Sequence, residues 1–287
     1  MSTETVVRVD VPDIAHPDIA VHCVRRRGFS ADRGVRGRRD GQRLYLEHGL
    51  TSATVSDARL VAELCALVEQ GCLMGQAEFE AAAVATILSV ATDPADAWTA
   101  FYRNSLLELR SGTSPFAPIH RRAMELIEGM SVLEVGCCFG FLALQCAARG
   151  MDVTACDISA STVRLLADTA RSLGVSGLRT ICANALELPL PDDSIDTVTL
   201  VHLLEHLEPA AVPVAIAEAL RVARRRVIIA VPFEAEPAPH YGHLISVDTS
   251  DLVRWADAAD HCGAEIFVDH GGWLVLTPQM SPRLLAT

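Results

Sequence analysis

The residues best suited to chemistry in this chain are histidines and acids that follow two predicted strands. His202 and His206 lie four residues apart after one strand, and His240 and His243 lie in the loop after the next. Glu234, in the same loop, could orient one of these histidines through a hydrogen bond. A positioned histidine can remove the proton of a weakly acidic hydroxyl. We therefore predict a proton-transfer site, with His243 as the preferred base and His206 and His240 as the alternatives.

Other interpretations of these residues remain open. Glu236 could orient a histidine in place of Glu234. The loop could instead be shaped by Gly242 and its prolines, with solvated polar residues. A helical turn would place His202 and His206 on one face, where they could bind a transition metal. The usual zinc spacings are absent, so no metal is predicted.

A glycine-bearing turn supplies a second candidate site. Glu134-x-Gly136-x-x-x-Gly140 lies between a short apolar run and an apolar helix. A strand that enters a helix through glycines places free backbone N–H groups at a sheet's carboxyl end, where open α/β sheets hold nucleotide-like ligands. The dinucleotide fingerprint would need glycine at position 138 and glycine or alanine at position 141, but Cys138 and Phe141 stand there.

Asp157 ends the next predicted strand. A carboxylate at this position of a nucleotide-binding sheet can accept hydrogen bonds from ribose hydroxyls. The alternative is that Asp157 caps the helix that begins after Ser159. One carboxylate could serve only one of these roles fully.

The elements that position these residues form two regions. From residue 131 onward, β–α repeats with short connections predict an α/β fold with a doubly wound parallel sheet, closed by an antiparallel hairpin. Residues 113–287 are therefore predicted to be one domain. Residues 1–112 form an N-terminal extension: an irregular segment with β runs at 5–11 and 19–24, then three helices over 51–112. In the third helix, an aromatic stripe of Trp98, Phe101 and Tyr102 is interpreted as core.

An arginine-rich segment, residues 25–43, lies within the extension. It contains eight arginines, two aspartates and four glycines, with little to bury. We interpret it as a solvated loop. The alternative is an arm that contacts an anionic ligand or partner, or closes over the active site.

Composition limits the function classes. The net charge of −12 argues against nucleic-acid binding. No apolar run approaches the ~18 residues of a membrane span, and the first residues lack the apolar core of a secretory signal. The nine cysteines are scattered without a C-x-x-C pair, which favours buried thiols in a reducing cytoplasm. A homodimer is one alternative for the oligomeric state.

Together these motifs resemble those of the class I S-adenosylmethionine (SAM)-dependent methyltransferases. Cys138 stands where that family usually has its middle glycine. The resemblance implies that the glycines admit SAM, that Glu134 organises the pocket around its amine, and that Asp157 and Ile158 belong to the cofactor site. It also implies that Asn184 replaces the acid that accepts a hydrogen bond from the adenine amino group. Ala185 would offer its backbone N–H to the adenine ring, and His202 would also belong to the cofactor site.

The combination of Glu-Val-Gly-x-Cys-Phe-Gly-Phe-Leu-Ala-Leu with Val-Pro-Phe-Glu and Tyr-Gly-His-Leu looks like the mycofactocin oligosaccharide methyltransferases. That resemblance implies O-methylation of a glucose hydroxyl on a redox-cofactor glycan. Two alternatives remain: N- or O-methylation of another small natural product, and a non-catalytic SAM-binding or partner-binding protein.

Overall fold

The computed structural model describes residues 19–23, 34–41 and 43–279. The strand predicted at residues 5–11 and the arginine-rich residues 25–33 lie outside this range. The described residues form two compact units. The first takes in those up to Ala117 together with Pro239–Gly242, and the second comprises Pro118–Ala238 and the residues from His243 onward.

The first unit contains a three-stranded sheet in the order β1-β3-β2. Its strands are β1 (Ile19–Cys23), β2 (Arg36–Asp40) and β3 (Arg43–His48). Strand β2 corrects the prediction of a loop for this part of the arginine-rich segment. Its antiparallel pairing with β3 supplies the backbone hydrogen bonds, and the arginines find partners of their own: Arg38 lies over the ring of Tyr45, and Arg39 pairs with Glu78.

Three helices complete the first unit: α1 (Asp57–Glu69), α2 (Gly75–Ser89) and α3 (Pro94–Ser111). The side chains of Ser56 and Asp93 cap α1 and α3, as polar residues do at helix N-termini. Phe101 and Tyr102 are fully buried, and their rings contact each other and Trp98. The core interpretation of the aromatic stripe is therefore confirmed.

The remaining elements alternate between helix and strand. They are α4 (Ala117–Leu126), β4 (Ser131–Val135), α5 (Phe141–Ala147), β5 (Asp152–Asp157), α6 (Ala160–Ser172), β6 (Leu178–Cys182), β7 (Ile195–Val201), a 3₁₀ turn (Leu204–His206), α7 (Val212–Val222), β8 (Ala223–Val231), α8 (Thr249–Ala258), β9 (His261–Val268) and β10 (Gly272–Pro278).

The seven strands of the second unit form one sheet in the order β6-β5-β4-β7-β8-β10-β9. Strands β4 to β8 are parallel, and β10 is antiparallel to both β8 and β9. The predicted α/β class and terminal hairpin are thus confirmed. This is the Rossmann-like architecture of class I methyltransferases.

Strand β8 begins at Ala223, so three consecutive arginines lie in its first half. Three consecutive arginines do not resemble a buried strand. In the fold these arginines find acceptors: Arg224 and Arg225 pair with Asp196, and Arg226 donates to the Leu126 carbonyl. Helix α8 ends at Ala258, and strand β9 begins at His261.

The topology brings the candidate residues to one edge of the sheet. Because β4 to β8 are parallel, their carboxyl ends share that edge. The glycine turn, Asp157, the 3₁₀ turn and the loop from Pro232 follow β4, β5, β7 and β8 in turn. Within the described ranges, no helix combines the length and apolarity needed to cross a membrane.

Candidate functional site

Glu134 connects the end of β4 to the start of α5. It is only 7% exposed, and its Oε2 accepts a hydrogen bond from the Ala143 amide at 2.8 Å. Burial raises the pKa of Glu134 to about 8; the Ala143 hydrogen bond opposes this shift, and the charge of Asp157 adds to it. A neighbouring cation would therefore strongly favour the ionised form of Glu134.

The turn after β4 uses left-handed backbone at three positions. Gly136 and Gly140 have φ of +71° and +68°, and Cys138 has φ of +46° with an exposed side chain. A Cβ on Gly140 would lie 2.3 Å from Leu166, and one on Gly136 would lie 2.7 Å from Leu203. Glycine is therefore needed at both positions for conformation and for space. Cys138 stands where the resembled family usually has its middle glycine, and its side chain is exposed.

Asp157 stabilises the turn through the end of β5. Its Oδ2 accepts from the Cys138 amide and its Oδ1 from the Ser159 amide, each at 2.9 Å. The cap of helix α6 itself is the Ser159 side chain, which accepts from the Thr162 amide. A carboxylate has about four acceptor sites, so Asp157 retains capacity for two ribose hydroxyls.

Three further cofactor candidates follow the ends of β5 and β6. Ile158 is 73% exposed beside Asp157, a high exposure for a large apolar side chain. The exposed Asn184 accepts from the Leu186 amide through Oδ1 at 3.0 Å, and its carbonyl accepts from Glu187. Asn184 thus closes its own turn, and one Oδ1 lone pair remains for an adenine amino group. The half-buried Ala185 follows it.

The segment after β7 carries a half-buried histidine and a buried acid. His202 has φ of +54°, and its amide donates to the Ala230 carbonyl at 2.8 Å. Burial lowers the pKa of His202 to about 4, with smaller contributions from His243, His120 and His206. Glu205 is 1% exposed, and burial raises its pKa to about 8, with the charge of Glu234 adding to the shift.

A histidine–carboxylate pair lies in the loop after β8. Nδ1 of His243 is 2.8 Å from Oε2 of Glu234, and the ring of His243 is buried. The ring of His206 meets that of His243 edge-on, with centroids 4.8 Å apart. The loop is anchored because the Leu244 amide donates to the Glu205 carbonyl at 2.8 Å. Three predicted residues, Glu234, His206 and His243, therefore form one cluster, and Glu234 rather than Glu236 pairs with His243.

His240 belongs to the first unit, unlike His206 and His243. Its ring lies 5.4 Å from that of Phe79 and 4.1 Å from that of Tyr241. The Tyr241 hydroxyl is 2.9 Å from the sulfur of Cys65, and His240 Nε2 is 3.8 Å from the same atom. These contacts of His240 are to residues of its own unit. The role of His240 as a base stays a prediction.

The residue that sequence analysis left without a role is Glu205. An oxygen of Glu205 and a ring nitrogen from each of His206 and His243 all lie within 4.8 Å of one another. The sequence placed an acid beside His206, but the burial of that acid and its proximity to His243 come from the fold. A carboxylate adjacent to a histidine at a strand's carboxyl end was the available signal.

Residues 133–231 match a family model described as a methyltransferase domain. A search of curated proteins found no match. Three similar solved structures are a SAM-dependent methyltransferase from Methanosarcina mazei (17% identity, 56% of this chain and 98% of that one, TM-score 0.46), one from Aquifex aeolicus (20%, 60% and 97%, 0.45), and magnesium protoporphyrin IX methyltransferase from Synechocystis with bound SAM (18%, 62% and 84%, 0.44).

The matched residues run from β4 to β8 and so include the glycine turn, Asp157 and the 3₁₀ turn. The match shows a methyltransferase domain over these residues, and the chain is a methyltransferase. Its methyl donor is SAM, as the sequence predicted.

Proposed function

We propose that this methyltransferase transfers the methyl group of SAM to a hydroxyl of a glycosylated small molecule. The mycofactocin oligosaccharide, with its glucose hydroxyls, is the acceptor we favour. The observation that carries the hydroxyl assignment is the pairing of the buried His243 side chain with the half-buried Glu234, with His206 beside it. An acceptor as weakly acidic as a sugar hydroxyl needs such a base.

The residues of the turn fit the methyl donor. Glu134 offers a carboxylate for the methionine amine, and Asp157 retains acceptor sites for ribose hydroxyls. Ile158 offers an exposed apolar surface for the adenine ring. We assign these three residues to donor binding. When bound, SAM supplies an electrophilic methyl group on a positively charged sulfur.

We assign His243 the removal of the acceptor proton. Its Nδ1–H faces Oε2 of Glu234, which fixes the tautomer and leaves the Nε2 lone pair as the base. The acceptor oxygen forms the new C–O bond, the C–S bond breaks with its electron pair on sulfur, and the hydroxyl proton moves to His243. Alignment of the oxygen, carbon and sulfur contributes much of the rate acceleration.

The location we propose is cytoplasmic. Eight of the described cysteines are free thiols: Cys65, Cys72, Cys137, Cys138, Cys146, Cys156, Cys182 and Cys262. Unpaired thiols are usual in reducing compartments. The chain's net charge of −12 fits a small-molecule acceptor better than nucleic acid.

The test compares two histidine variants. His243→Ala should lower turnover of a glycosylated acceptor by roughly 10²–10⁴-fold while SAM binding is retained. His270→Ala is the matched control, because His270 also pairs with a carboxylate, that of Asp269 at 2.8 Å, but its side chain is 56% exposed. Its turnover should equal that of the parent protein.

Calorimetry with SAM and S-adenosylhomocysteine comes first, since failure to bind either would refute the methyltransferase assignment. Mass spectrometry then follows the gain of CH₂ on mycofactocin oligosaccharide, on simple glucosides and on amines. If only amines are methylated, and His243→Ala does not change that rate, the acceptor is another natural product and not a sugar hydroxyl. SAM binding without any methylated product would indicate a non-catalytic protein.

A further inference from the structure

Glu205 is a buried carboxyl group whose oxygens accept no hydrogen bond from another described residue. It is 1% exposed, and no other residue in the described part of the chain hydrogen-bonds to either oxygen. The closest basic atom among the ion pairs is Nδ1 of His202, at 3.7 Å from Oε1, which is beyond hydrogen-bond range. Burying a polar group without a partner is costly, so a carboxylate in this state usually binds something.

The atoms near Glu205 include histidine ring nitrogens, which are able to bind a metal ion. One ring nitrogen each from His206 and His243 lies within 4.8 Å of a Glu205 oxygen and of the other nitrogen. In a tetrahedral zinc site with bonds of about 2.0–2.1 Å, ligand atoms are about 3.3 Å apart. A contraction of the order of 1 Å would therefore bring the three atoms to ligand spacing.

Glu234 adds an independent feature of a metal site. Histidines that bind metals almost always donate their other ring N–H to a carboxylate or carbonyl, which orients the ring. Nδ1 of His243 meets Oε2 of Glu234 at 2.8 Å. The nitrogen left to bind a metal is Nε2. Glu234 would thus orient the ligand rather than bind the ion.

We propose that Glu205, His206 and His243 bind one divalent transition-metal ion, with Glu234 as the carboxylate that orients His243. Two imidazoles and one carboxylate suit Zn²⁺ or a similar ion better than Mg²⁺, which prefers oxygen ligands. Three protein ligands leave a coordination position open for an acceptor oxygen, as in catalytic zinc sites.

This inference deepens the proposed function and rests on it for the role of the ion. His243 cannot use Nε2 as a base and as a ligand at the same time. In the metal-loaded protein the ion would take over the role of the base: it would lower the pKa of an acceptor hydroxyl bound at the open position, and the hydroxyl proton would pass to solvent as the methyl group moves from sulfur to oxygen.

The experiment measures metal binding by the full chain without SAM or acceptor. The protein is stripped with a chelator and titrated with ZnCl₂ by calorimetry, and then with CoCl₂ while visible absorption is recorded. We expect one ion per chain and the ligand-field bands of Co²⁺ bound to nitrogen. Glu205→Gln, His206→Ala and His243→Ala should each weaken zinc binding by at least tenfold, and Glu234→Gln by roughly 10–100-fold.

His270→Ala serves as the matched control and should bind zinc as tightly as the parent protein. Thermal unfolding with and without ZnCl₂ tests whether each variant is folded: zinc should raise the midpoint of the parent protein and of His270→Ala, but not that of Glu205→Gln. The proposal would be overturned if folded Glu205→Gln bound zinc as tightly as the parent protein. It would also be overturned if His270→Ala weakened zinc binding as much as Glu205→Gln does. A response to MgCl₂ alone would overturn the choice of ion.

The outcomes for the ion and for the proposed function are separable. Zinc binding is read without any methyl transfer, so a missing acceptor leaves it intact. Conversely, methylation that persists in chelator and is abolished by His243→Ala would support His243 as the base and refute the ion's role.

Discussion

Replacing Glu134 with glutamine should make the protein more stable at neutral pH. The side chain is 7% exposed, and burial raises its pKa to about 8 from the ordinary 4.5. The folded protein therefore holds a proton on Glu134 that the unfolded chain releases above pH 4.5. Because the folded state binds more protons in this window, the free energy of unfolding falls as the pH rises from 4.5 to 8.

The magnitude follows from the width of that window. From pH 4.5 to pH 7, at about 1.4 kcal/mol per pH unit, the loss amounts to about 3 kcal/mol. Glutamine matches the protonated acid in shape, and its Oε1 can still accept from the Ala143 amide, which Glu134 binds at 2.8 Å. Glu134→Gln should therefore raise the free energy of unfolding by up to about 3 kcal/mol at pH 7, which is a rise in Tm of roughly 6–12 °C for a domain of this size.

The assay is thermal and denaturant unfolding at pH 5, 7 and 9. The gain should be below about 1 kcal/mol at pH 5 and largest above pH 8, where Glu134 is ionised in both states. Glu265→Gln, at an exposed position of β9, is the control and should change stability by no more than about 0.5 kcal/mol at any pH. A gain that does not vary with pH, or a loss of stability at pH 9, would refute the reasoning. The same variant should bind SAM about tenfold more weakly, since it lacks the charge for the amine.

Three further substitutions test the glycine turn and its carboxylate. Cys138→Gly should stabilise the protein by about 0.5–1 kcal/mol and retain SAM binding, because φ of +46° strains a residue that carries a Cβ; denaturant unfolding and calorimetry read both effects, and weaker SAM binding would show that the thiol contacts the donor. Gly140→Ala should cost more stability than Gly174→Ala, because both have positive φ but only Gly140 lacks space, its Cβ falling 2.3 Å from Leu166; equal losses in denaturant unfolding would mean that conformation alone requires glycine there. Asp157→Asn can accept from only one of the two backbone amides that Asp157 holds, so unfolding should show a loss of about 1–3 kcal/mol, and calorimetry should show SAM binding at least tenfold weaker; unchanged SAM affinity would remove Asp157 from the donor site.

Local patterns in the sequence determined most of the fold of the second unit. The β–α alternation and the closing hairpin could be predicted because buried parallel strands are continuous apolar runs and helix ends carry caps and glycines. The first residue of a strand was harder to predict where polar residues at that end pair with residues distant in the sequence. Arg224 and Arg225 lie on strand β8 because Asp196 pairs with them, and nothing adjacent in the sequence indicates that pairing.

The positions of the glycine turn and of Asp157 were likewise predictable, since these residues lie at strand ends with fixed spacings. Their role in SAM binding stays a prediction. Glu134, Gly136, Gly140 and Asp157 stand where the motif places them, and the structure adds their hydrogen bonds. The path of Cys138 was not predictable, because one residue's φ depends on the turn as a whole. Its positive φ and exposed side chain are results of the tertiary structure.

By itself, the sequence determined the α/β class, the glycine turn after β4 and the set of histidines and acids that could move a proton. Only the tertiary structure decided which of these residues meet. His206 and His243 are 37 positions apart and belong to loops after different strands, yet their rings touch. Glu234 rather than Glu236 bonds to His243, and His240 belongs to the other unit. Burial of Glu205 is also a tertiary property. Short-range patterns set the secondary structure, whereas contacts between loops depend on the order in which the sheet arranges its strands.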